Sequence, residues 1–302
     1  MKMNRVEHFL SQINQRENNR WDRWRDYRNV VTDQILKVLF NRPNAEVLII
    51  GSGALDDLDL GRIKLQTNRL DFLDLDEKAT VEGLKRQGMD IHDVHVIKTD
   101  LTRFDDVHFF ESWQRMMNDE PSVTETILMI EEKMNLIYQE HFQQGLNKTY
   151  DVVILLPTYT QLIYQQWIHL IDQSHPKAWT NDAIIKMKSY VLDLMVPLID
   201  HVNEGIHACI KKHGIMMAIS DVIEFNDEDF KLIKHTYPSL SEHDLMNYYL
   251  SYLNQYGMGL GDYGLWSLKS LLNLETSGFL LWPFSDHRTM LVQYMILTNS
   301  MS

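Results

Sequence analysis

The sequence predicts an α/β fold in which a mostly parallel sheet carries helices on both faces and ends in an antiparallel hairpin. Two observations support this prediction. Short apolar runs of strand length alternate with long segments of helical periodicity, and the last two runs are separated only by residues 285–288. Strands that alternate with helices form parallel sheets. A connection as short as 285–288 joins antiparallel neighbours, because parallel strands need a crossover of a dozen or more residues.

Composition limits the class of protein. The chain has 302 residues, of which 44% are hydrophobic, and this is enough to bury a substantial core. Its net charge of −13 disfavours a nucleic-acid partner, whose affinity would come from Lys and Arg on phosphates. The single cysteine, Cys209, cannot form an internal disulfide, which fits a reducing compartment. Without a signal-peptide core or an apolar span of about 18 residues, we expect a cytoplasmic protein with no membrane partner.

The first segment of the chain, residues 5–40, has the periodicity of a helix that ends before Pro43. Aromatic residues in it are interleaved with arginines: Trp21, Trp24 and Tyr27 with Arg16, Arg20, Arg23, Arg25 and Arg28. One hypothesis is that residues 1–44 form a helical lid that holds an anionic or aromatic substrate. The other, which we favour for the aromatic stripe, is that the tryptophans pack on the core and the arginines face solvent.

Seven apolar runs follow as predicted strands, with bounds 46–50, 69–75, 94–98, 151–156, 214–220, 278–284 and 289–297. Three connections between them are long and helical, at about 101–150, 157–213 and 221–277. We therefore predict one domain over residues 45–302 with helical insertions around a single sheet. The glycine-rich segment 256–264 is a second candidate for a lid, since its glycines allow a hinge.

A glycine turn follows the first predicted strand, where Ile50 runs into Gly51-Ser52-Gly53. Glycine at such a turn lets the backbone approach a bound ligand closely. A dinucleotide fingerprint requires Gly or Ala at the position of Asp56, whose charge would repel a pyrophosphate. By itself the turn is equally consistent with a strand-to-helix connection that binds no ligand.

Acidic residues end the next two strands. Asp74 follows Gly51 by about 20 residues, the separation at which an acid accepts hydrogen bonds from ribose hydroxyls. Asp76 is expected to cap the following helix, and the third strand runs into Asp100-Leu101. Because the carboxyl ends of parallel strands lie at one edge of a sheet, these residues predict a ligand site at that edge.

With these motifs, residues 45–298 resemble the class I S-adenosylmethionine-dependent methyltransferases. The resemblance implies a Rossmann-like seven-stranded sheet, S-adenosylmethionine as cofactor, and in-line methyl transfer. The acidic composition and the long insertions favour a small-molecule or peptide acceptor. The resemblance places the glycine turn beside the methionine part of the cofactor, Asp74 on the ribose and Asp100 on the adenine amino group. The implied cofactor-binding residues are Gly51, Ser52, Gly53, Asp57, Asp74, Leu75, Asp100, Leu101 and Pro157.

The sequence departs from the family pattern at two places. Leu55 replaces the third glycine, and Ile49 or Ile50 stands where the family has an acid before the turn. Asp56 or Asp57 is then the candidate for the cofactor's amino group.

The fourth strand runs into Pro157-Thr158-Tyr159-Thr160-Gln161, which in this family faces the transferred methyl group. The candidate substrate contacts are Tyr159 and Gln161 here and Trp24 in the N-terminal segment. The catalytic candidates are Tyr159 and His169, with His175 and His287 as further possible bases because imidazole titrates near neutrality. Tyr159 is equally well explained as a packing aromatic residue.

Spacing along the chain shows no metal motif. His201, His207 and His213 are six residues apart, a rotation of about 240° per step on a helix, so they cannot converge on one ion. We therefore expect no metal. Two other functions stay open: an aminopropyl or aminobutanoyl transferase that uses the same cofactor class, and a non-catalytic binding module with this fold.

Overall fold

The computed structural model describes residues 19–146, 148–237 and 239–300. Its strands are Ala45–Ile50 (β1), Thr67–Asp74 (β2), His95–Lys98 (β3), Tyr150–Leu155 (β4), Ile210–Asn226 (β5), Asn273–Ser285 (β6) and Arg288–Thr298 (β7). They form one sheet in the order β3-β2-β1-β4-β5-β7-β6. Strands β1 to β5 pair in parallel, and β7 is antiparallel to both of its neighbours. The predicted seven-stranded sheet with its terminal hairpin is confirmed.

Helices lie between the strands and cover the sheet. They are Arg20–Arg23 (α1), Arg25–Phe40 (α2), Leu60–Lys64 (α3), Glu77–Arg86 (α4), Phe109–Asn118 (α5), Val123–Ile137 (α6), Tyr164–Ser174 (α7), Asn181–Ala208 (α8), Asp227–Thr236 (α9), Glu242–Tyr256 (α10) and Leu260–Leu271 (α11). Helices α5 to α11 occupy the three connections that the sequence marks as long. Short 3₁₀ segments span Ile91–Asp93, Phe142–Gly145 and Tyr159–Gln161.

The central strands are apolar on both faces because helices cover each side of the sheet. In β1, Val47 and Ile49 belong to the apolar cluster that includes α2, whereas Leu48 and Ile50 belong to the cluster that includes α8. All four side chains are fully buried. The alternation follows from strand geometry, since successive side chains point to opposite faces.

Three elements differ clearly in extent from their predictions, and one of them is β6, which begins at Asn273 although its predicted strand begins at residue 278. Strand β5 was expected at 214–220 but spans Ile210–Asn226, because β7 continues to pair with it as far as Asn226 opposite Arg288. Polar residues such as Asp221 conceal this continuation in the sequence. The helix predicted at 5–40 is interrupted at Trp24, between α1 and α2, and residues 1–18 lie outside the described residues.

The predicted lid at 256–264 is wrong. Helix α10 ends at Tyr256 and α11 begins at Leu260, so the segment is largely helical. A Cβ atom on Gly261 would collide with the backbone of Asp221, and one on Gly264 would collide with the ring of Tyr159. These two glycines therefore allow α11 to pack closely on its neighbours.

Cys209 ends α8 as a buried thiol, as the sequence predicts. Its Sγ donates a hydrogen bond to the Gly205 carbonyl at 3.3 Å, and burial raises the pKa of the thiol to about 12. Among the described residues, no helix has the combination of length and apolar character needed to cross a membrane.

Candidate functional site

A cleft of about 580 Å³, measured to its open mouth, lies at the carboxyl ends of β1 to β4. Seven of the implied cofactor-binding residues line this first cleft: Gly51, Gly53, Asp74, Leu75, Asp100, Leu101 and Pro157. The implied substrate residue Gln161 also lines it. The remaining lining residues are Leu73, Thr99, Thr102, Thr158 and Leu162.

The glycine turn forms the floor between the strands. The amide of Gly51 donates a hydrogen bond of 2.9 Å to the Leu73 carbonyl, which attaches the turn to β2. Gly51 and Gly53 have φ angles of +73° and +47°, in the left-handed region that favours glycine. A Cβ atom on Gly51 would also overlap the Thr158 side chain. Glycine at position 51 therefore keeps the cleft open between β1 and the loop after β4.

The carboxylate of Asp74 forms hydrogen bonds with the backbone beside the first cleft. Its Oδ2 accepts a hydrogen bond from the Gly53 amide at 2.7 Å, and its Oδ1 accepts one from the Asp76 amide at 2.8 Å. Burial raises the pKa of Asp74, while the two amides act in the opposite direction. Each carboxylate oxygen has two lone pairs, so Asp74 keeps acceptor capacity toward the cleft. Asp76 caps α4, as predicted, by accepting from the Ala79 amide at 3.1 Å.

Asp100 organises the loop after β3 in a similar way. Its Oδ1 accepts hydrogen bonds from the backbone amide and the hydroxyl of Thr102, at 2.9 and 2.6 Å. Its Oδ2 accepts one from the Asp105 amide at 3.2 Å. Burial is the main cause of its raised pKa, which these hydrogen bonds partly offset. The loop that presents Leu101 to the first cleft is thus held by a half-buried carboxylate.

A second cleft of about 500 Å³ lies beside the first and shares four of its lining residues, Gly51, Gly53, Pro157 and Gln161. Helix α1, the glycine turn and the end of β6 meet around it. Its other lining residues are Arg20, Trp24, Ser52, Ala54, Leu55, Asp56, Asp57, Leu156, Trp282 and Phe284. The structure therefore places Trp24, Ser52 and Asp57 in this second cleft, although the Ser52 hydroxyl is buried against that of Thr80 at 2.8 Å.

The carboxylate of Asp56 forms salt bridges with two arginines. Its Oδ2 lies 2.6 Å from Nη2 of Arg20, and its Oδ1 lies 3.1 Å from Nη2 of Arg86. Arg28 donates to the backbone carbonyl of Asp56 at 3.0 Å. The expectation that the arginines face solvent is therefore wrong for Arg20 and Arg28, which are buried because they neutralise and brace the turn after β1.

The electrostatic environment of Asp57 differs from that of Asp56. It lines the second cleft and forms no salt bridge within the described part of the chain. Burial, with a smaller contribution from Asp56, raises its pKa from 3.8 to about 7, while Arg20 and Arg28 act in the opposite direction. Of the two acids proposed for an amino group, only Asp56 forms a salt bridge with an arginine of the described residues.

The catalytic candidates lie elsewhere. Tyr159 is fully buried, and its hydroxyl donates to Oδ1 of Asn203 at 2.7 Å, so it packs under α11 and lines neither cleft. His169 is exposed on α7. His175 contacts the Ile171 carbonyl at 2.7 Å and His287 contacts Asp227 at 3.0 Å. Neither of these histidines lines a cleft.

The aromatic wall of the second cleft was missed from the sequence. Trp24 packs edge-on against Trp282 with ring centroids 4.8 Å apart, and its Nε1 donates to the Phe284 carbonyl at 3.2 Å. Trp282 and Phe284 lie at the end of β6, some 260 positions from Trp24, and only the sheet order brings them to the site. No local pattern signals this contact.

Comparison with known protein families and with curated proteins finds no match to this chain. Solved structures with a similar fold include the N-methyltransferase NodS from Bradyrhizobium japonicum WM9 in complex with S-adenosyl-L-homocysteine. The two sequences are 9% identical, and the TM-score is 0.47. The superposition covers 99% of this chain and 100% of NodS. Another is magnesium protoporphyrin IX methyltransferase (ChlM) from Synechocystis PCC 6803 with bound S-adenosylmethionine. It is 10% identical to this chain with a TM-score of 0.46, and the superposition covers 99% of this chain and 98% of ChlM.

A third similar structure is a SAM-dependent methyltransferase from Anabaena variabilis ATCC 29413, with 9% identity, coverage of 98% and 96%, and a TM-score of 0.46. These similarities concern the fold. The strand order and the antiparallel β7 give the chain the Rossmann-like seven-stranded sheet that the sequence predicts.

Proposed function

We propose that this protein is an S-adenosylmethionine-dependent methyltransferase that acts on a small-molecule or peptide acceptor. The observation that carries the proposal is the pair of adjoining clefts on either side of the glycine turn. The first has half-buried acids at the ends of β2 and β3, and the second has an aromatic wall and a buried acid, Asp57, with no salt bridge to any residue that the structure describes. This arrangement suits a ligand with a nucleoside at one end and an amino acid at the other.

In the proposed complex the adenosine occupies the first cleft. Asp74 accepts hydrogen bonds from the ribose hydroxyls through its remaining lone pairs. Leu75 and Leu101 border the adenine, and Asp100 holds the loop that contacts its edge. The side chains of Leu75 and Leu101 are nearly buried, so they offer an apolar surface to the ring.

The methionine end crosses the glycine turn into the second cleft. Gly51 and Gly53 let the backbone approach it closely. Asp57 has the charge to bind the α-ammonium group, and Arg20, which lines the same cleft, has the charge to attract the carboxylate. Asp56 serves this arrangement by holding Arg20 in place.

When bound, the cofactor supplies an electrophilic methyl group on a sulfonium whose leaving group is a neutral thioether. The residues of this chain then act mainly by aligning the acceptor and excluding water. Gln161 borders both clefts, and Trp24 forms the wall of the second. We propose these two residues as acceptor contacts.

The experiment is incubation of the protein with methyl-deuterated S-adenosylmethionine and a cell extract, followed by mass spectrometry of small molecules and peptides. We expect a product that gains one deuterated methyl group and an equal amount of S-adenosylhomocysteine. Gain of an aminopropyl or aminobutanoyl group would instead identify a different transferase. A protein that binds neither S-adenosylmethionine nor S-adenosylhomocysteine in calorimetry is not an enzyme of this class.

A further inference from the structure

Three metal-ligating side chains meet outside both clefts, between α8 and the loop that precedes the 3₁₀ segment Phe142–Gly145. They are His141, His201 and Glu204, and one ligand atom of each lies within 4.8 Å of the others. Nε2 of His141 is 3.7 Å from Oε2 of Glu204. His201 and Glu204 are three residues apart on α8, so they lie on the same face of the helix.

Backbone carbonyls fix which ring nitrogens carry hydrogen. Nδ1 of His141 lies 3.2 Å from the His201 carbonyl, and Nε2 of His201 lies 2.9 Å from the Glu140 carbonyl. A carbonyl only accepts, so each of these nitrogens must be the donor. In the neutral rings the lone pairs are therefore on Nε2 of His141 and Nδ1 of His201. Histidines that bind metals are usually held in this way, with the other ring N–H donated to a carbonyl or carboxylate.

We propose that His141, His201 and Glu204 form a binding site for a divalent transition-metal ion, and that Zn²⁺ is the ion this ligand set suits best. Two imidazole nitrogens and one carboxylate oxygen are ligands that Zn²⁺ accepts in proteins, with water in the fourth position. Tetrahedral bonds of about 2.0–2.2 Å place ligand atoms about 3.4 Å apart. The His141–Glu204 pair is already near that separation.

Metal binding requires one rearrangement. The rings of His141 and His201 are stacked, with centroids 4.2 Å apart and planes inclined by 24°. A metal ion lies near the plane of each imidazole that binds it, so two stacked rings cannot share an ion. His141 is outside the regular helices and its side chain is 30% exposed, so its ring is the one that turns, and the turn breaks the hydrogen bond from its Nδ1 to the His201 carbonyl while that of His201 to the Glu140 carbonyl is kept. The Glu204 side chain, 56% exposed, is free to follow the ion.

The cluster is connected to the first cleft. The Glu140 carbonyl that holds His201 also accepts a hydrogen bond from Nη1 of Arg103 at 2.8 Å. Arg103 directly follows Thr102, which lines that cleft. An ion that fixes residues 140–141 thus also holds the loop that carries Asp100 and Leu101.

The test is calorimetric titration of chelator-treated full-length protein with Zn²⁺, together with the visible spectrum of the Co²⁺-substituted protein. We expect one Zn²⁺ per chain and a Co²⁺ spectrum with the intense bands of tetrahedral coordination. His141→Gln and Glu204→Gln should each weaken Zn²⁺ binding by more than about 100-fold, since losing even an outer hydrogen-bond partner of a ligand costs 10- to 100-fold. His207→Gln, on the same helix but outside the cluster, is the matched control and should bind Zn²⁺ as the parent does.

Glu204→Gln keeps the test decisive if a histidine variant fails to fold, because this exposed side chain contributes little to the core. Saturable Zn²⁺ binding that disappears in His141→Gln and Glu204→Gln supports the site. Absence of saturable binding in the parent protein overturns it, as does undiminished binding in folded Glu204→Gln. This outcome is independent of S-adenosylmethionine binding.

Discussion

The carboxylate of Asp74 accepts a hydrogen bond of 2.7 Å from the backbone amide of Gly53. The end of β2 therefore holds the turn that follows β1, and two sequence motifs about 20 residues apart become one structural unit. In the proposed complex this unit contacts the ribose on one side and the methionine part of the cofactor on the other. A change at Asp74 should consequently affect both contacts.

Asp74→Ala should weaken S-adenosylhomocysteine binding by about 100-fold or more. Hydrogen bonds to a charged group contribute about 1.5–3 kcal/mol each, and the ribose has two hydroxyls to lose. Calorimetry measures the affinity. Asp76→Asn is the matched control at the same strand end, because asparagine retains the helix cap while the charge is removed. Equal affinity in Asp74→Ala and the parent protein would contradict the assignment of the ribose site.

Gly51→Ala should lower both the free energy of unfolding and the affinity for S-adenosylhomocysteine. Alanine at this position combines a left-handed φ with overlap of the Thr158 side chain at the cleft. Gly88→Ala is the control, since its φ of +70° is similar but its Cβ would have nothing within 4 Å. The control should lose only about 1–2 kcal/mol of stability and no affinity. Urea unfolding and calorimetry on both variants separate backbone strain from obstruction of the cleft.

Stability should fall as pH rises through the titration of Asp57. Its pKa is about 7 in the folded protein against an ordinary value of 3.8, so the folded state binds the proton more tightly than the unfolded chain. The associated stability is full below pH ~4, is lost as pH rises to about 7, and stays absent above that pH. Asp57→Asn removes this dependence and should be more stable than the parent at pH 8 by about 2–4 kcal/mol. Urea unfolding at several pH values tests this, and the prediction fails if the stability difference between the two proteins is independent of pH.

The affinity for the cofactor should also depend on the protonation of Asp57. An ammonium beside Asp57 favours the carboxylate, so S-adenosylhomocysteine should bind more tightly as pH rises through about 7. Asp57→Asn should bind more weakly at pH 8 and lack this step. A step of equal size in the variant would assign the titration to another residue.

Breaking the buried ion pair between Arg20 and Asp56 should destabilise the fold. Arg20→Ala removes one of the arginine partners of the fully buried Asp56 side chain, and losing one partner of a buried pair costs about 3–5 kcal/mol. Arg25→Ala removes an exposed pair with Asp22 and should cost less than about 1 kcal/mol. The double variant Arg20→Ala/Asp56→Asn should be more stable than the sum of its single variants predicts. Strict additivity in that cycle would show that the pair contributes no coupling energy.

The sequence predicts the sheet and its ligand edge because both depend on local signals. Apolar runs mark β1 and β4, and the residues that end parallel strands, such as Asp74 and Asp100, necessarily share one edge. Contacts between distant segments leave no such signal. The pairing of Arg20 with Asp56, the contact of Trp24 with Trp282, and the meeting of His141 with His201 all depend on how helices dock on the finished sheet. Tyr159 shows the same limit: it follows a strand at the expected place, but its ring packs toward Gly264 and not toward the cleft.

A crystal structure of the protein with S-adenosylhomocysteine tests the central claim most directly. We expect the ribose hydroxyls within hydrogen-bond distance of Asp74, about 3 Å, with adenine beside Leu101 and the ammonium group at Asp57. Electron density for the ligand outside the two clefts, or a ribose placed away from Asp74, would contradict the proposed function.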